Sequence, residues 1–153
     1  LGADLPARAT PYSAAEVLAA VVSVRAAIEV CDTRFAAWAQ QGEWSRLADQ
    51  ACHGALIVGT GTHDVVNAQP LAQAVTLSVN GAVAVQHATW GNPAGDPLRL
   101  LVWLANEGAR SLGGLRAGHW VTTGSCTGTV LVAPGAEVVA DFPGLGQAVL
   151  HLR

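Results

Sequence analysis

Asn80 and Gly81 stand between two apolar stretches, residues 74–79 and 82–87. An Asn-Gly pair favours a type I′ turn, because both central residues of that turn need positive φ angles. Apolar residues alternate with small polar residues across 75–79, as expected of a strand that buries one face only. The chain is therefore predicted to contain an antiparallel hairpin, and its fold must include an antiparallel sheet.

Two helices carry recognisable start signals. Ser13 and Glu16 form a capping box, in which the hydroxyl caps the first turn and the carboxylate reaches back to the cap. The apolar spacing that follows predicts a helix to about Arg25. Asp96 is an N-cap with a proline directly after it. We expect this second helix to end near the glycines at 113–114.

The other apolar stretches predict strands separated by glycine and proline turns. Residues 35–48 have mixed spacing, which predicts a short helix or a loop with helical turns. The strands are predicted around Glu29, at 55–58 with an end at Gly59-Thr60-Gly61, and near 119–123, 128–132, 136–142 and 147–152. This order of elements indicates an α+β fold with mostly antiparallel sheets, and a length of 153 residues predicts a single domain over 1–153.

The composition excludes some classes of partner. Only 12% of the residues are charged, the net charge is −3 and there is no lysine, so neither nucleic acid nor an anionic membrane surface is an expected partner. No apolar run approaches the roughly 18 residues of a membrane span. The three cysteines are widely spaced and predict a reducing, cytoplasmic setting rather than a disulfide framework. So little charge also predicts apolar surface that a partner subunit or a further part of the protein covers.

Glu29 is a single carboxylate within an apolar run. Ile28 and Val30 alternate with it, so it should lie on the opposite face of a short strand. Burial without a partner would be costly for this carboxylate. It must therefore face solvent, pair with a cation such as Arg34, or bind a metal, and the local sequence leaves these alternatives open.

The segment Ile28-Glu29-Val30-Cys31-Asp32-Thr33-Arg34-Phe35 resembles one found in the 2-keto-4-pentenoate hydratase group, which includes 4-oxalocrotonate decarboxylases and belongs to the fumarylacetoacetate hydrolase superfamily. Further matching segments follow in the same order along the whole chain. They are Ala48 to Gly54, Asn80-Gly81, Gly91-Asn92-Pro93, Leu101 to Asn106, Gly114 to Gly118, Thr122 to Ser125 and Phe142 to Gly146.

The resemblance implies a fumarylacetoacetate hydrolase-like fold and a divalent cation, Mg²⁺ or Mn²⁺, held by three carboxylates. Glu29 matches one of these ligands. The other two lie in the family on a Glu-x-Glu strand, which does not occur in this sequence. We therefore expect an N-terminal part of a family member to be absent from this chain, which alone would be inactive. Oxygen ligands suit hard cations, and a 2-keto acid can chelate such a cation through two of its own oxygens.

Asp49 and Cys52 are the candidate catalytic positions that the resemblance implies. Relatives carry Asp-Asn-x-Ser there, whereas this chain has Gln50 and Cys52, so polar contacts to substrate or water could differ. Asp49 is either a cap or loop carboxylate, or a group that supports the site and handles a proton. Nothing marks Cys52 as an activated nucleophile.

Thr123, Gly124 and Ser125 match the family segment near the substrate carboxylate. Hydroxyl and backbone N–H groups can bind an anion without a cation. The alternative is an ordinary strand end with a glycine turn.

The implied function is a metal-dependent hydratase of 2-hydroxy-2,4-dienoates in meta-cleavage degradation of aromatic compounds. One alternative is 4-oxalocrotonate decarboxylase, and another is a non-catalytic remnant or partner subunit with the same fold. The substrate would be a small 2-keto acid. The resemblance also implies a homo-oligomer, with a hydratase–decarboxylase complex as a further arrangement.

Overall fold

The structure is a computed structural model that describes residues 1–68, 70–89 and 91–153. Its strands in these ranges are β1 (Leu5–Pro6), β2 (Val24–Cys31), β3 (His53–Thr62), β4 (Val75–Val79), β5 (Ala82–His87), β6 (Gly114–Leu115), β7 (Glu137–Phe142) and β8 (Gly146–His151). The α-helices are α1 (Ala14–Ala19), α2 (Glu43–Ala48) and α3 (Pro97–Trp103). Short helical turns occupy Trp38–Gln40, Gln50–Cys52, Pro70–Ala72, Leu104–Gly108 and Arg110–Leu112.

Strands β5, β4, β7 and β8 form one antiparallel sheet in that order, while β2 pairs with β3 and β1 pairs with β6. The predicted hairpin is confirmed, with Asn80 and Gly81 at φ angles of 50° and 79° between paired Val79 and Ala82. The strands predicted at 136–142 and 147–152 are β7 and β8. The α+β class with mostly antiparallel sheets is thus confirmed.

The capping box at the start of α1 is also confirmed. Glu16 accepts hydrogen bonds from the Ser13 backbone N–H and hydroxyl, and Arg8 adds an ion pair of 2.8 Å. The Ser13 backbone hydrogen bond is the main reason why the pKa of Glu16 falls to about 2. The helix ends at Ala19, however, so the predicted extension to Arg25 is wrong. Valines dominate the segment after the helix, and β-branched residues favour the extended chain that β2 needs.

The second helix begins as predicted. The Asp96 side chain accepts a hydrogen bond from the Leu98 N–H at 2.9 Å, and the chain leaves the helical turns at Gly113 with a φ angle of 84°. The α1 and α3 helices pack together with β1 and β6 around one apolar cluster. Its buried members are Leu5, Tyr12, Val17, Ala20, Leu101, Ala105, Ala109 and Leu115.

Strand β3 is longer than predicted, because Gly59 and Gly61 lie inside it instead of ending it. A Cβ atom at Gly59 would collide with the Gln147 carbonyl of β8, and one at Gly61 with the Val24 carbonyl of β2. These glycines therefore mark close backbone approach within the sheet layer, not a turn. The sequence pattern of a Gly-Thr-Gly turn was misleading for this reason.

The strands predicted near 119–123 and 128–132 are also wrong. The structure gives these segments no strand pairing among the residues it describes. Gly118, Gly124 and Gly128 have positive φ angles and turn the chain at the ends of these segments. Residues 35–48, by contrast, contain the predicted helical turns, including α2.

Large apolar side chains remain on the surface, as the low charge content predicts. Leu131 is 95% exposed, and Trp44 on α2 is 79% exposed. In the part of the chain that the structure describes, no helix combines the length and apolar character that a membrane crossing needs.

Candidate functional site

Strand β2 sets the orientation of Glu29. Ile28 packs against the apolar cluster that Leu77, Val138 and Ala140 form on the four-stranded sheet. Glu29 is the next residue and points to the other face, where its side chain is 51% exposed. The alternation predicted from the sequence therefore places the carboxylate where a ligand can reach it.

A bulge in the β2–β3 ladder gives Glu29 its partner. The pairing runs from Glu29 opposite Leu56 to Val30 opposite Ala55, and then shifts so that Cys31 faces His53. The shift puts His53 on the Glu29 face, because directly paired residues of an antiparallel ladder point the same way. The Nδ1 atom of His53 lies 2.8 Å from Oε1 of Glu29. With the proton on Nδ1, the imidazole donates to the carboxylate.

The alternative ion pair between Glu29 and Arg34 does not form. Arg34 instead binds Asp49, with 3.0 Å between Nη1 and Oδ1. Its guanidinium also donates to the backbone carbonyls of Asp49 and His53, at 2.9 and 3.3 Å. Arg34 therefore ties the end of β2 to the segment that delivers His53.

Asp49 is buried, with only 1% of its side chain exposed. It accepts a short hydrogen bond of 2.6 Å from the Thr33 hydroxyl and another from the Arg34 backbone N–H. The Thr33 hydrogen bond is the largest cause of a lowered pKa for Asp49, and Arg34 adds to it. Both carboxylate oxygens have donors, an arrangement that suits a loop carboxylate fixing local geometry.

Cys52 ends a tight turn whose three residues all have positive φ angles, 55° at Gln50, 52° at Ala51 and 63° at Cys52. Such angles are uncommon outside glycine, and three in succession are costly. The Cys52 carbonyl accepts a hydrogen bond of 2.8 Å from the Asp32 N–H. The turn is therefore held against the end of β2.

A buried asparagine shapes the segment 123–125. Asn92 is 7% exposed, and its Nδ2 atom donates to the Thr123 carbonyl at 2.6 Å. Gly124 has a φ angle of 94°, and a Cβ atom there would lie 2.7 Å from the same Nδ2 atom. Only glycine therefore fits this position, and Asn92 holds the turn in one conformation.

The Ser125 hydroxyl is engaged within its own turn. It accepts a hydrogen bond from the Thr127 N–H at 3.2 Å and donates to the Gly128 carbonyl at 3.3 Å. Anion binding by this segment would therefore depend on the backbone N–H groups and the Thr123 hydroxyl more than on the Ser125 hydroxyl.

Glu29 and the segment 123–125 line the same cavity, which has a volume of ≈ 1490 Å³ and mostly apolar walls. Cys31 also contributes to its lining, whereas Asp49 and Cys52 do not. The predicted metal ligand and the predicted carboxylate-binding segment thus share one large cavity. Of the two candidate catalytic positions, Asp49 lies at the end of α2 and Cys52 lies in the turn before β3.

Over residues 1–153 the sequence matches the family described as fumarylacetoacetate (FAA) hydrolase C-terminal. The chain belongs to this family. Among curated relatives of this FAA hydrolase chain, a 4-oxalocrotonate decarboxylase from Pseudomonas sp. is 30% identical over 96% of the chain and 55% of the relative. A 2-keto-4-pentenoate hydratase from Burkholderia vietnamiensis is 31% identical over 91% of the chain and 52% of the relative.

Solved structures confirm the FAA hydrolase-like fold. A 4-oxalocrotonate decarboxylase from Pseudomonas putida G7, complexed with magnesium and adipate, superposes with a TM-score of 0.81 at 27% identity, covering 97% of this chain and 56% of that one. The same enzyme complexed with calcium and acetate gives a TM-score of 0.78. The chain spans about half the length of the curated relatives it matches.

The side chains around Glu29 fit a divalent cation in part. Glu29 offers a reachable carboxylate, which suits a hard cation. Over residues 1–68, 70–89 and 91–153, no three His, Cys, Asp or Glu side chains are grouped so that they could hold a metal ion. Glu29 therefore stays a predicted metal ligand, and the described residues do not by themselves complete a metal site around it.

Two residues at the site were not predicted as functional, His53 and Asn92. Their sequence signals were weak: a histidine that follows the Asp49 to Cys52 segment, and an asparagine within Gly-Asn-Pro. His53 reaches Glu29 only because the ladder contains a bulge. Asn92 reaches Thr123 across 31 residues of sequence. Neither contact follows from local spacing.

Proposed function

We propose that the complete protein containing this chain is a metal-dependent hydratase of 2-hydroxy-2,4-dienoates, of the 2-keto-4-pentenoate type. After ketonisation of the dienol, water adds across the remaining carbon–carbon double bond and gives a 4-hydroxy-2-keto acid. Such a reaction belongs to meta-cleavage degradation of aromatic compounds. The observation that carries the proposal is that Glu29 lines the same cavity as Thr123, Gly124 and Ser125.

Glu29 would supply one oxygen ligand to Mg²⁺ or Mn²⁺. When bound, such a cation polarises the keto group of the substrate and stabilises an enolate. The hydrogen bond from His53 fixes the Glu29 carboxylate on one side and settles its orientation before any cation binds. A ligand held in this way loses less conformational freedom when it binds.

The segment 123–125 would bind the carboxylate of the 2-keto acid. Its backbone N–H groups and the Thr123 hydroxyl are donors suited to an anion, and this part of the cavity has no lysine to offer instead. Asn92 positions the segment through the Thr123 carbonyl.

Asp49 and Cys52 would contribute indirectly, by holding the backbone around Glu29 and His53 in place. Asp49 is ionised and bonded to Thr33 and Arg34, so it fixes the connection that carries His53. Cys52 replaces the serine of the related pattern and lies in the turn before His53. We therefore assign both residues to the support of Glu29, and neither to direct proton transfer.

The second candidate activity is decarboxylation of 4-oxalocrotonate. It is favoured by relatives of that name, equal in identity to the hydratases, and by the close superposition on the Pseudomonas putida enzyme. Both reactions need stabilisation of an enolate next to the 2-keto group. They differ in whether the site then delivers water or releases CO₂.

One assay distinguishes the two activities and also tests the alternative of a non-catalytic subunit. The complete reading frame containing this chain is expressed and tested against 2-hydroxypenta-2,4-dienoate and 4-oxalocrotonate, with Mg²⁺ and with Mn²⁺. We expect hydration as the main activity. Faster CO₂ release would establish the decarboxylase instead, and no turnover of either substrate would leave the non-catalytic subunit as the better account.

Glu29→Gln is the decisive variant in that assay, because it removes the charge and keeps the shape. Glu137→Gln is its matched control. Glu137 also faces a histidine, His151, at 3.6 Å, but it lies on β7 and does not line the cavity. We expect Glu29→Gln to abolish metal-dependent turnover and Glu137→Gln to retain it.

The assembly is a separate proposal. The exposed Leu131 and Trp44 side chains support a homo-oligomer, in which neighbouring subunits would cover them. A complex of hydratase and decarboxylase subunits is a further candidate assembly. Sedimentation of the complete protein tests this, since a monomer at micromolar concentration would contradict it. The cytoplasmic setting stays a prediction.

A further inference from the structure

Two of the three cysteines meet at the end of the β2–β3 ladder. Cys31 is the last residue of β2 and pairs with His53, the first residue of β3. Cys52 directly precedes His53, and its carbonyl accepts the Asp32 N–H at 2.8 Å. The two cysteines therefore lie on neighbouring backbone segments. Cys52 is next to His53, the partner of Cys31, and Cys31 is next to Asp32, which hydrogen-bonds to Cys52.

The turn conformation brings the two thiols to the same side. In a regular strand Cys52 would point away from His53 and Cys31, because successive side chains alternate. Its φ angle of 63° breaks that alternation. Burial raises the pKa of the Cys31 thiol, and the neighbouring Cys52 thiol raises it further.

Both thiols are free, and both are accessible to some degree. Cys31 is exposed and Cys52 is half-buried. Cys52 is one position removed from His53, the direct partner of Cys31, and such a neighbour lies about 6 Å away between Cα atoms, within the range that a disulfide requires. Cys126, the third free thiol, lies on a different segment and lines the cavity.

We propose that Cys31 and Cys52 form an oxidisable dithiol, which a peroxide converts to a disulfide joining the end of β2 to the turn before β3. One thiolate attacks the peroxide O–O bond and becomes a sulfenic acid, with water or an alcohol as the leaving group. The second thiol attacks the sulfenic sulfur, the S–O bond breaks and a second water leaves. The peroxide is reduced by two electrons and the dithiol is oxidised by two.

The strained turn supports this assignment. Three consecutive residues with positive φ angles hold Cys52 in place before any bond forms, so the disulfide needs little rearrangement of the backbone. The inference depends on the positions of Cys31 and Cys52 only and is independent of the proposed activity.

The test uses the Cys126→Ser variant, in which Cys31 and Cys52 are the cysteines that remain within residues 1–153. It is treated with a modest excess of hydrogen peroxide, quenched, and titrated for free thiols before peptide mass spectrometry. We expect both thiols to disappear and a peptide linked through Cys31 and Cys52 to appear in monomeric protein. Reduction with dithiothreitol should restore both thiols.

Two comparisons make the result specific to the folded geometry. Cys31→Ser and Cys52→Ser should each prevent the intramolecular link and leave a sulfenic acid that dimedone traps. In urea, wild-type protein should lose the preference for the 31–52 link over links to Cys126. Disulfides between molecules only, or sulfinic acid without the 31–52 link in folded protein, would overturn the proposal.

Discussion

The Nδ1 atom of His53 lies 2.8 Å from Oε1 of Glu29, on the same face of the β2–β3 ladder. This contact depends on a bulge that moves the pairing of Cys31 from Gly54 to His53. From the sequence, Glu29 could face solvent, pair with a cation or bind a metal. In the structure it contacts His53, and its side chain stays half exposed. Both features suit a ligand that is positioned before a cation arrives.

We predict that His53 positions Glu29 through this hydrogen bond. His53→Leu should weaken Mn²⁺ binding to the complete protein by about 10-fold, the usual effect of removing a group that orients a metal ligand. His53→Asn should retain most of the affinity, because its amide N–H can replace Nδ1. Calorimetric titration measures both, with His151→Leu as the control on the other His–Glu pair. Equal affinity for all variants would argue against a positioning role.

We predict that Asp49 stabilises the fold at neutral pH. Asp49→Asn keeps the size of the side chain but removes the charge that Thr33 and Arg34 stabilise. The melting temperature at pH 7 should fall by roughly 5 °C. Thermal unfolding followed by circular dichroism measures the change. An unchanged melting temperature would show that the Arg34 contact is incidental.

The pH dependence of this effect has a defined sign. The folded pKa of Asp49 is lowered from its ordinary value of 3.8, so its stabilisation is complete above that value and is lost as pH falls through the folded pKa. The difference between wild type and Asp49→Asn should therefore be constant from pH 7 to pH 5 and shrink at more acidic pH. Melting curves across that pH range measure the difference. A difference in melting temperature that grew as the pH fell would contradict this prediction.

We predict that Asn92 holds the segment 123–125 in place. Asn92→Ala removes the donor to the Thr123 carbonyl and should cost about 1 kcal/mol of unfolding free energy, because a part-buried acceptor is left unpaired. Asn67→Ala is the control, since Asn67 makes an exposed side-chain hydrogen bond to Asp64. Urea unfolding compares the two. A similar, small loss of unfolding free energy in both variants would show that Asn92 does not hold this segment in place.

The glycines of β3 offer a test of the strand packing. Gly61→Ala should destabilise the protein strongly, because its Cβ atom would meet the Val24 backbone. Gly42→Ala introduces the same atom where nothing lies within 4 Å, so its cost should be limited to about 1 kcal/mol from the weaker N-cap of α2. Expression yield and urea midpoints would distinguish the two variants, and equal midpoints would mean that β2 and β3 are less closely packed than the structure has them.

Local chemistry explains which parts of the fold were predictable. Asn80-Gly81 and the Asp96 cap determine a turn and a helix start through their own backbone preferences, so the sequence was a sufficient guide. The end of α1 and the extent of β3 depend on which backbone lies alongside. The glycines at 59 and 61 therefore indicated a turn in the sequence and proved to be contacts between strands.

The same distinction applies to the site. Alternation along β2 was enough to place Glu29 on the face opposite Ile28. The choice of partner was not predictable, because the bulge selects His53, and Arg34 lies nearer in sequence but binds Asp49. The role of Asn92 was equally hidden, since it acts on a segment 31 residues away.

Calorimetric titration of Mn²⁺ into the complete protein and its Glu29→Gln and Glu137→Gln variants, with turnover of 2-hydroxypenta-2,4-dienoate measured on the same samples, tests the assignment of Glu29 most directly. We expect Glu29→Gln to lose more than about 100-fold in Mn²⁺ affinity and all metal-dependent turnover, while its melting temperature stays close to that of wild type. Glu137→Gln should match wild type in every measurement. Unchanged Mn²⁺ affinity and rate in Glu29→Gln would contradict the metal-ligand role and leave Glu29 as a surface partner of His53.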